Sequence, residues 1–329
     1  MSLDSRRRPP ARTLTAALPL VAAVAAIGVS ARVPVLGPLL VALVLGAVLA
    51  NLPWAPGTTA RAEQAAVGRF CLRLGIVLLG LRLPLGDVAA IGPATVAVVV
   101  ITVAATYGLT VVVGDALGLE RGLVTLVAAG FSVCGAAAVA AVQDGVRARE
   151  RHVALAVALV TVYGTAMIGL LPLAAGALGL TTEQSATWAG ASIHEVAQVV
   201  AAASLVGGPL AVALATTVKL GRVVTLAGVY LMAARREGAS ERTGTAVVPW
   251  FVAGFVVAVL VRSTGLLGPL ALGASDVAAS VLLAAGMFGL GLGLRLRDLW
   301  PVPARALVLA TAATLTAAGT SLALILLLG

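Results

Sequence analysis

The stretch Ala189-Gly190-Ala191-Ser192-Ile193-His194-Glu195-Val196-Ala197-Gln198-Val199-Val200-Ala201-Ala202-Ala203 sets a histidine beside a carboxylate in a run that is otherwise largely apolar. Ionisable groups at membrane depth are costly and are kept where a substrate or proton path needs them. The reading therefore turns on whether this run lies in a bilayer. Composition says that it does: 60% of the 329 residues are hydrophobic and 11% charged, against about 25% charged in a soluble domain. Mean hydropathy is +1.10.

Working outward, apolar runs long enough to cross a hydrocarbon core of about 30 Å fall at 14–30, 35–52, 64–84, 88–114, 150–178, 208–234, 245–263, 274–296 and 302–328. Two more, 120–144 and 182–205, are apolar but interrupted. The expected fold is an all-α polytopic membrane protein of about 9–11 transmembrane helices with two broken or re-entrant segments. It has a basic cytoplasmic tail over 1–13 and a single transmembrane domain over 14–329, because no connection is long enough to hold a soluble domain. The arginines at 6–8 followed by an alanine-rich run have the look of a signal peptide. So many equally apolar runs follow that a first transmembrane helix is the better reading.

The net charge of +9 does not point to nucleic acid, since its arginines sit in short loops beside apolar spans and form no stripe on a soluble face. A cytoplasmic N-terminus puts Arg6, Arg7, Arg8, Arg12, Arg61, Arg235, Arg236, Arg242, Arg295, Arg297 and Arg305 inside, with Arg32, Arg82 and Arg262 opposite. Arg147, Arg149 and Arg151 resist if 120–144 crosses fully. They fit if 120–144 and 182–205 each dip in and return, one from each side. Both topologies stay open on sequence. Gly75-Ile76-Val77-Leu78-Leu79-Gly80-Leu81-Arg82-Leu83 with Asp87 is echoed by Gly289-Leu290-Gly291-Leu292-Gly293-Leu294-Arg295-Leu296 with Asp298. The copies run in opposite directions, as inverted repeats of secondary transporters do. Trp54, Trp250 and Trp300 fall at span ends, where indole rings favour the interface. Cys71 and Cys134 both lie in apolar contexts and imply no disulfide framework.

The first interrupted segment contains Gly130-Phe131-Ser132-Val133-Cys134-Gly135. Its glycines let a helix unwind, and amides at the restarted helix can receive an anion. In the second, His194, Glu195 and Gln198 share helical faces at spacings of four and three and can exchange protons. Lys219, the only lysine in the chain, and Arg222 stand one turn apart within a long apolar span. A lone lysine kept among arginines suggests a need for a compact ammonium. With Glu195 the two cations leave a net positive site that suits an anion. His194-Glu195-Val196-Ala197-Gln198 imitates a zinc-protease motif, but Gln198 replaces the second histidine and His152 is the only other one. No metal site and no cofactor are expected.

These blocks, together with Val248-Pro249-Trp250-Phe251, resemble the YeiH family, the sulfate-exporter-like, UPF0324-type proteins of the bacterial inner membrane. The resemblance runs from about residue 35 to the C-terminus, and the chain departs from the family pattern at Phe131 and Gly221. It implies inverted repeats and broken helices similar to the sodium/proton antiporter and bile-acid symporter folds, with alternating access. The resulting expectation is a multi-pass inner-membrane secondary transporter, not an enzyme, that exports sulfate or an organic sulfonate. Ser132, Cys134, Gly135, Ser192, Lys219 and Arg222 would bind the anion, and His194, Glu195 and Gln198 would couple it to protons or sodium. A cation/proton antiporter with Glu195 as ion ligand and a non-transporting scaffold or sensor are the alternatives. The partners are then the small anion, the coupling ion and the lipid, with homo-oligomerisation left open.

Overall fold

The computed structural model describes residues 11–32, 37–53, 58–83, 85–143, 145–146, 148–238, 249–293 and 302–328. Expectations placed on Arg6 to Arg8, Trp54, Arg147, Arg242, Val248, Arg295, Arg297, Asp298 and Trp300 lie outside them, as does the end of the Gly-Leu echo beyond Gly293. So do the side chains of Arg12 and Asp87.

The described residues form helices and no strands. In order they are α1 (Ala11–Arg32), α2 (Pro38–Asn51), α3 (Thr58–Leu79), α4 (Leu85–Ala90), α5 (Gly92–Ala116), α6 (Arg121–Ser132), α7 (Ala136–Val142) and α8 (Glu150–Ala177). There follow α9 (Thr182–Ser192), α10 (Val196–Val206), α11 (Pro209–Val224), α12 (Leu226–Arg236), α13 (Trp250–Ser263), α14 (Pro269–Gly291) and α15 (Ala304–Leu328). Among the described residues six stretches are long and apolar enough to cross a membrane: Glu63–Arg82, α5, α8, α11 with α12, α14 and α15. Helices α1, α2 and α13 are shorter apolar partners. Span boundaries differ from the sequence reading in several places, α3 starting at Thr58 and not at 64 among them. The run at 88–114 is split by the left-handed Gly92 (φ 85°) into α4 and α5. The run at 274–296 begins earlier, at Pro269, where Gly268 caps the helix and the proline takes a first-turn position that needs no amide.

The chain forms two helical bundles. Helices α1, α2, α3, α13 and α14 pack together, and α5 to α12 pack with α15, with only sparse contacts between the sets through α3 with α7, α14 with α8, and α4. Hydrocarbon tails are as apolar as leucine, so membrane helices associate by close backbone approach at small residues. In the first bundle Gly68 meets Gly289, where an added Cβ would lie 2.9 Å from the opposing Cα, and Gly46 packs on Gly291. Leu210, Leu266 and Leu270 stand more than four-fifths exposed, as suits side chains that face lipid.

The two interrupted segments are re-entrant hairpins. Glu120, at the start of α6, pairs with Arg149 at 3.1 Å and Arg151 at 2.7 Å, so the two ends of the first segment meet. Between them the Gly135 amide bonds the Gly130 carbonyl at 2.9 Å, and Gly130 packs on Val139. In the second segment Gly207 closes on Thr182, where an added Cβ would lie 2.6 Å from the methyl. The first hairpin opens at the arginine-rich end, where Arg236 pairs with Asp115 and Arg305 bonds the Leu117 carbonyl. The second opens at the other end, near Leu328. Of the two topologies open on sequence, this is the one that gathers Arg149 and Arg151 with the remaining loop arginines.

Candidate functional site

Breaking a helix inside a bilayer orphans backbone groups that water cannot reach, each at a cost of several kcal/mol. Both hairpin tips carry this problem, and α11 answers half of it. Lys219 and Arg222, three residues apart, share a face of α11, and both are fully buried. Gly190 lets α11 come close, because its Cα packs directly on the Ala215 carbonyl. The Lys219 ammonium donates to the carbonyls of Val133 and Ile193, both at 2.7 Å, and so joins the two tips. Arg222 donates from Nε to Ser132 at 3.0 Å, from Nη1 to Ala191 and Ile193 at 2.8 and 3.2 Å, and from Nη2 to Phe131 and Ser132 at 2.7 and 2.8 Å. Five donor bonds leave the guanidinium with none to spare. The cations thus sit at the C-terminal ends of α6 and α9, where the helix dipoles favour positive charge.

The N-terminal halves are arranged differently. Glu195 opens α10 and reaches across to α7, where its Oε1 accepts the Ala136 amide at 3.4 Å. Gly135 (φ 77°) makes room for it, since an added Cβ would lie 2.6 Å from the Glu195 Cγ. Gln198 holds the break in shape. Its Oε1 accepts the Glu195 amide at 3.1 Å, and its Nε2 donates to the Thr161 carbonyl at 3.2 Å. Gly164 on α8 abuts that side chain.

A cavity of about 730 Å³ lies between the bundles. Its floor is Cys134, Ala137, Glu195, Val196 and Ala197, the restarted ends of both broken helices. Its mouth, at the end away from the arginine-rich loops, holds Arg82, Arg262 and Asp276. There Arg82 binds Asp276 at 2.9 Å and Ser280 at 2.7 Å.

The structure therefore brings all nine sequence-derived candidates to one place but turns them to different sides. Glu195 and Cys134 alone among them line the cavity. The hydroxyls of Ser132 and Ser192 bond carbonyls of their own helices, Ala129 at 3.3 Å and Trp188 at 2.6 Å. The His194 ring turns the other way, 4.5 Å from the Phe131 ring, with Nε2 3.3 Å from Thr314 Oγ1. Sequence reading missed Thr314, Gly164 and the mouth residues Arg82, Arg262 and Asp276. Arg82 and Asp276 are 194 positions apart, and nothing in one sequence links them. Among the described residues no cluster of histidine, cysteine, aspartate or glutamate is arranged to hold a metal.

Comparison with known proteins gives the family. The model of a family described as "Conserved hypothetical protein 698" matches residues 13–310. A UPF0324 membrane protein of Corynebacterium glutamicum is 42% identical over 282 residues, covering 84% of this chain and 81% of its own. Another, from Pseudomonas putida, is 34% identical over 330 residues, covering 95% and 89%. No solved structure matches. The chain is a multi-pass membrane protein and belongs to the UPF0324, YeiH-type family.

Proposed function

We propose that this protein is a secondary transporter that moves a small oxyanion, sulfate or an organic sulfonate, outward across the cytoplasmic membrane, coupled to a proton on Glu195. The observation that carries the reading is the cavity floor, which joins the starts of two half-helices to the buried carboxylate of Glu195. Helix starts carry partial positive charge and favour anions. Behind them Lys219 and Arg222 add two buried positive charges. With Glu195 ionised the carboxylate itself occupies this field; once protonated, it leaves the field to a bound anion. Lys219 retains one uncommitted proton among the described residues and can lean toward that anion, whereas Arg222 acts through the frame that it holds. Gln198 orients the break. His194, on the far side of the same break, is a second proton-bearing group.

Two bundles with few mutual contacts and a cavity between them suit alternating access, in which one bundle moves against the other. The positive-inside bias puts the arginine-rich end in the cytoplasm, and with it the N-terminus. The cavity then opens outward. On this reading the chain is no enzyme.

Purified protein in proteoliposomes tests the proposal. Labelled sulfate should move under a pH gradient, and Glu195→Gln should remove the pH dependence. Sodium-driven proton movement with no anion requirement would overturn it in favour of a cation/proton antiporter. The absence of any protein-dependent flux of sulfate, sodium or protons would leave a scaffold or sensor.

A further inference from the structure

Buried polar atoms without a partner are uncommon in folded proteins, and each one calls for a reason. Of the six such side-chain atoms among the described residues, four lie on α5: the hydroxyls of Thr102, Thr106, Tyr107 and Thr110. Chance would scatter them. A fifth is Nδ1 of His194. The Thr314 hydroxyl lies 2.9 Å from the Ala310 carbonyl and 3.3 Å from His194 Nε2, so Nε2 has a partner on α15 while Nδ1 has none.

Placement joins these atoms. Thr102, Thr106 and Thr110 recur every four residues on one face of α5, a row about 12 Å long. Helix α15 runs antiparallel beside α5, with Arg305 on the Leu117 carbonyl at one end and Ile325 and Val98 lining one cavity at the other. That register sets Thr314, the partner of His194, at a level between Thr106 and Thr110. One turn before Thr102, Val98 and Thr95 line a separate cavity of about 330 Å³. Its other walls are Thr181, Glu183, Gln184 and Thr187 from the second hairpin, with Ile325 and Leu328. It shares no lining residue with the large cavity. The titratable groups around the ring are Lys219 and Arg222 on α11, Glu195 next in the chain, and Tyr163 on α8 behind Phe131; Tyr107 on α5 interacts instead with Arg236 and Glu237. Helices α6 and α15 present Phe131 and Thr314.

We propose that the hydroxyl row of α5 carries a hydrated proton route from the small cavity to His194, separate from the cavity that opens onto Glu195. Water bridging Thr102 and Thr106 satisfies the orphaned hydroxyls and supplies the partner that Nδ1 lacks. Thr110 continues the row past the ring. The purpose assigned to the route rests on the proton-coupled reading above; its existence does not.

Exchange of the imidazole C2 hydrogen for deuterium, read by mass spectrometry on the full-length protein, tests the route without any transport assay. Exchange at His194 should be measurable and should slow severalfold in Thr102→Val and Thr106→Val. Thr110→Val, beyond the ring, should leave it unchanged, as should Ala197→Leu, which fills the large cavity. Melting temperature supplies the second reading. Removing a hydroxyl from a wet row costs water bonds and lowers it, whereas removing an unpartnered one from a dry core raises it. Unchanged exchange with a raised melting temperature in Thr102→Val and Thr106→Val would overturn the proposal. So would control of exchange by Ala197→Leu or Thr110→Val. Sulfate flux can fail while exchange behaves as expected, so the two readings fall separately.

Discussion

The two halves of each broken helix are finished in opposite ways. The C-terminal ends of α6 and α9 are sealed by Lys219 and Arg222, which take up the carbonyls of Phe131, Ser132, Val133, Ala191 and Ile193. The N-terminal ends of α7 and α10 stay open to a cavity and share one carboxylate. The contrast teaches that buried charge near a candidate site need not be ligand-facing charge. Cations whose donors are spent on backbone hold a geometry, and they make the ground behind the site positive.

The largest effect should come from breaking the sealed side. Arg222→Gln strips donors from buried carbonyls that no water replaces, and should cost about 3 kcal/mol or more. The drop should appear in thermal unfolding in detergent, with Arg222→Lys rescuing only part of it because a lysine has fewer donors and no fork. The open side should behave otherwise. Glu195→Gln fits the same space and should leave unfolding within about 1 kcal/mol of the parent, while sulfate flux measured against pH becomes flat.

A smaller loss should follow from Gly164→Ala, which drives a methyl into Gln198 and should cost about 1–3 kcal/mol as overpacking. Gly169→Ala, on the same helix with nothing within 4 Å, should cost nothing measurable. The least effect belongs to the base of the first hairpin. Burial pushes the Glu120 carboxyl up, but His152, Arg149 and Arg151 together hold it below the usual carboxylate range. A depressed value adds stability at neutral pH, which is lost as pH falls through the folded value. Glu120→Gln should therefore change stability by under about 1 kcal/mol at neutral pH and less still in acid, as acid unfolding of parent and variant would show.

The spans were legible because membrane length and apolar runs leave few choices. The early start of α14 was not, because Gly268-Pro269 reads as a loop as readily as the first turn of a helix. The hairpins were legible as one of two options, since Arg149 and Arg151 fit the loop charges only if the first segment returns. Which side each site residue faces could not be read. The partners of Lys219 and Arg222 are backbone carbonyls, which carry no residue identity, and a shift of one residue turns His194 and Glu195 to opposite sides of the same break. The threonine row of α5 passed unnoticed in the sequence, because a spacing of four gains meaning only from burial without partners.

Cys134 offers the most direct check, because its thiol lies on the open floor beside Glu195 while the cations stand behind it. In a Cys71→Ser background, a membrane-impermeant maleimide should label Cys134 from the end away from the arginine-rich loops, and sulfate should slow that labelling at acidic pH. Labelling that sulfate leaves untouched, or that proceeds only from the arginine-rich end, would contradict an anion seat on the open side of the hairpin tips.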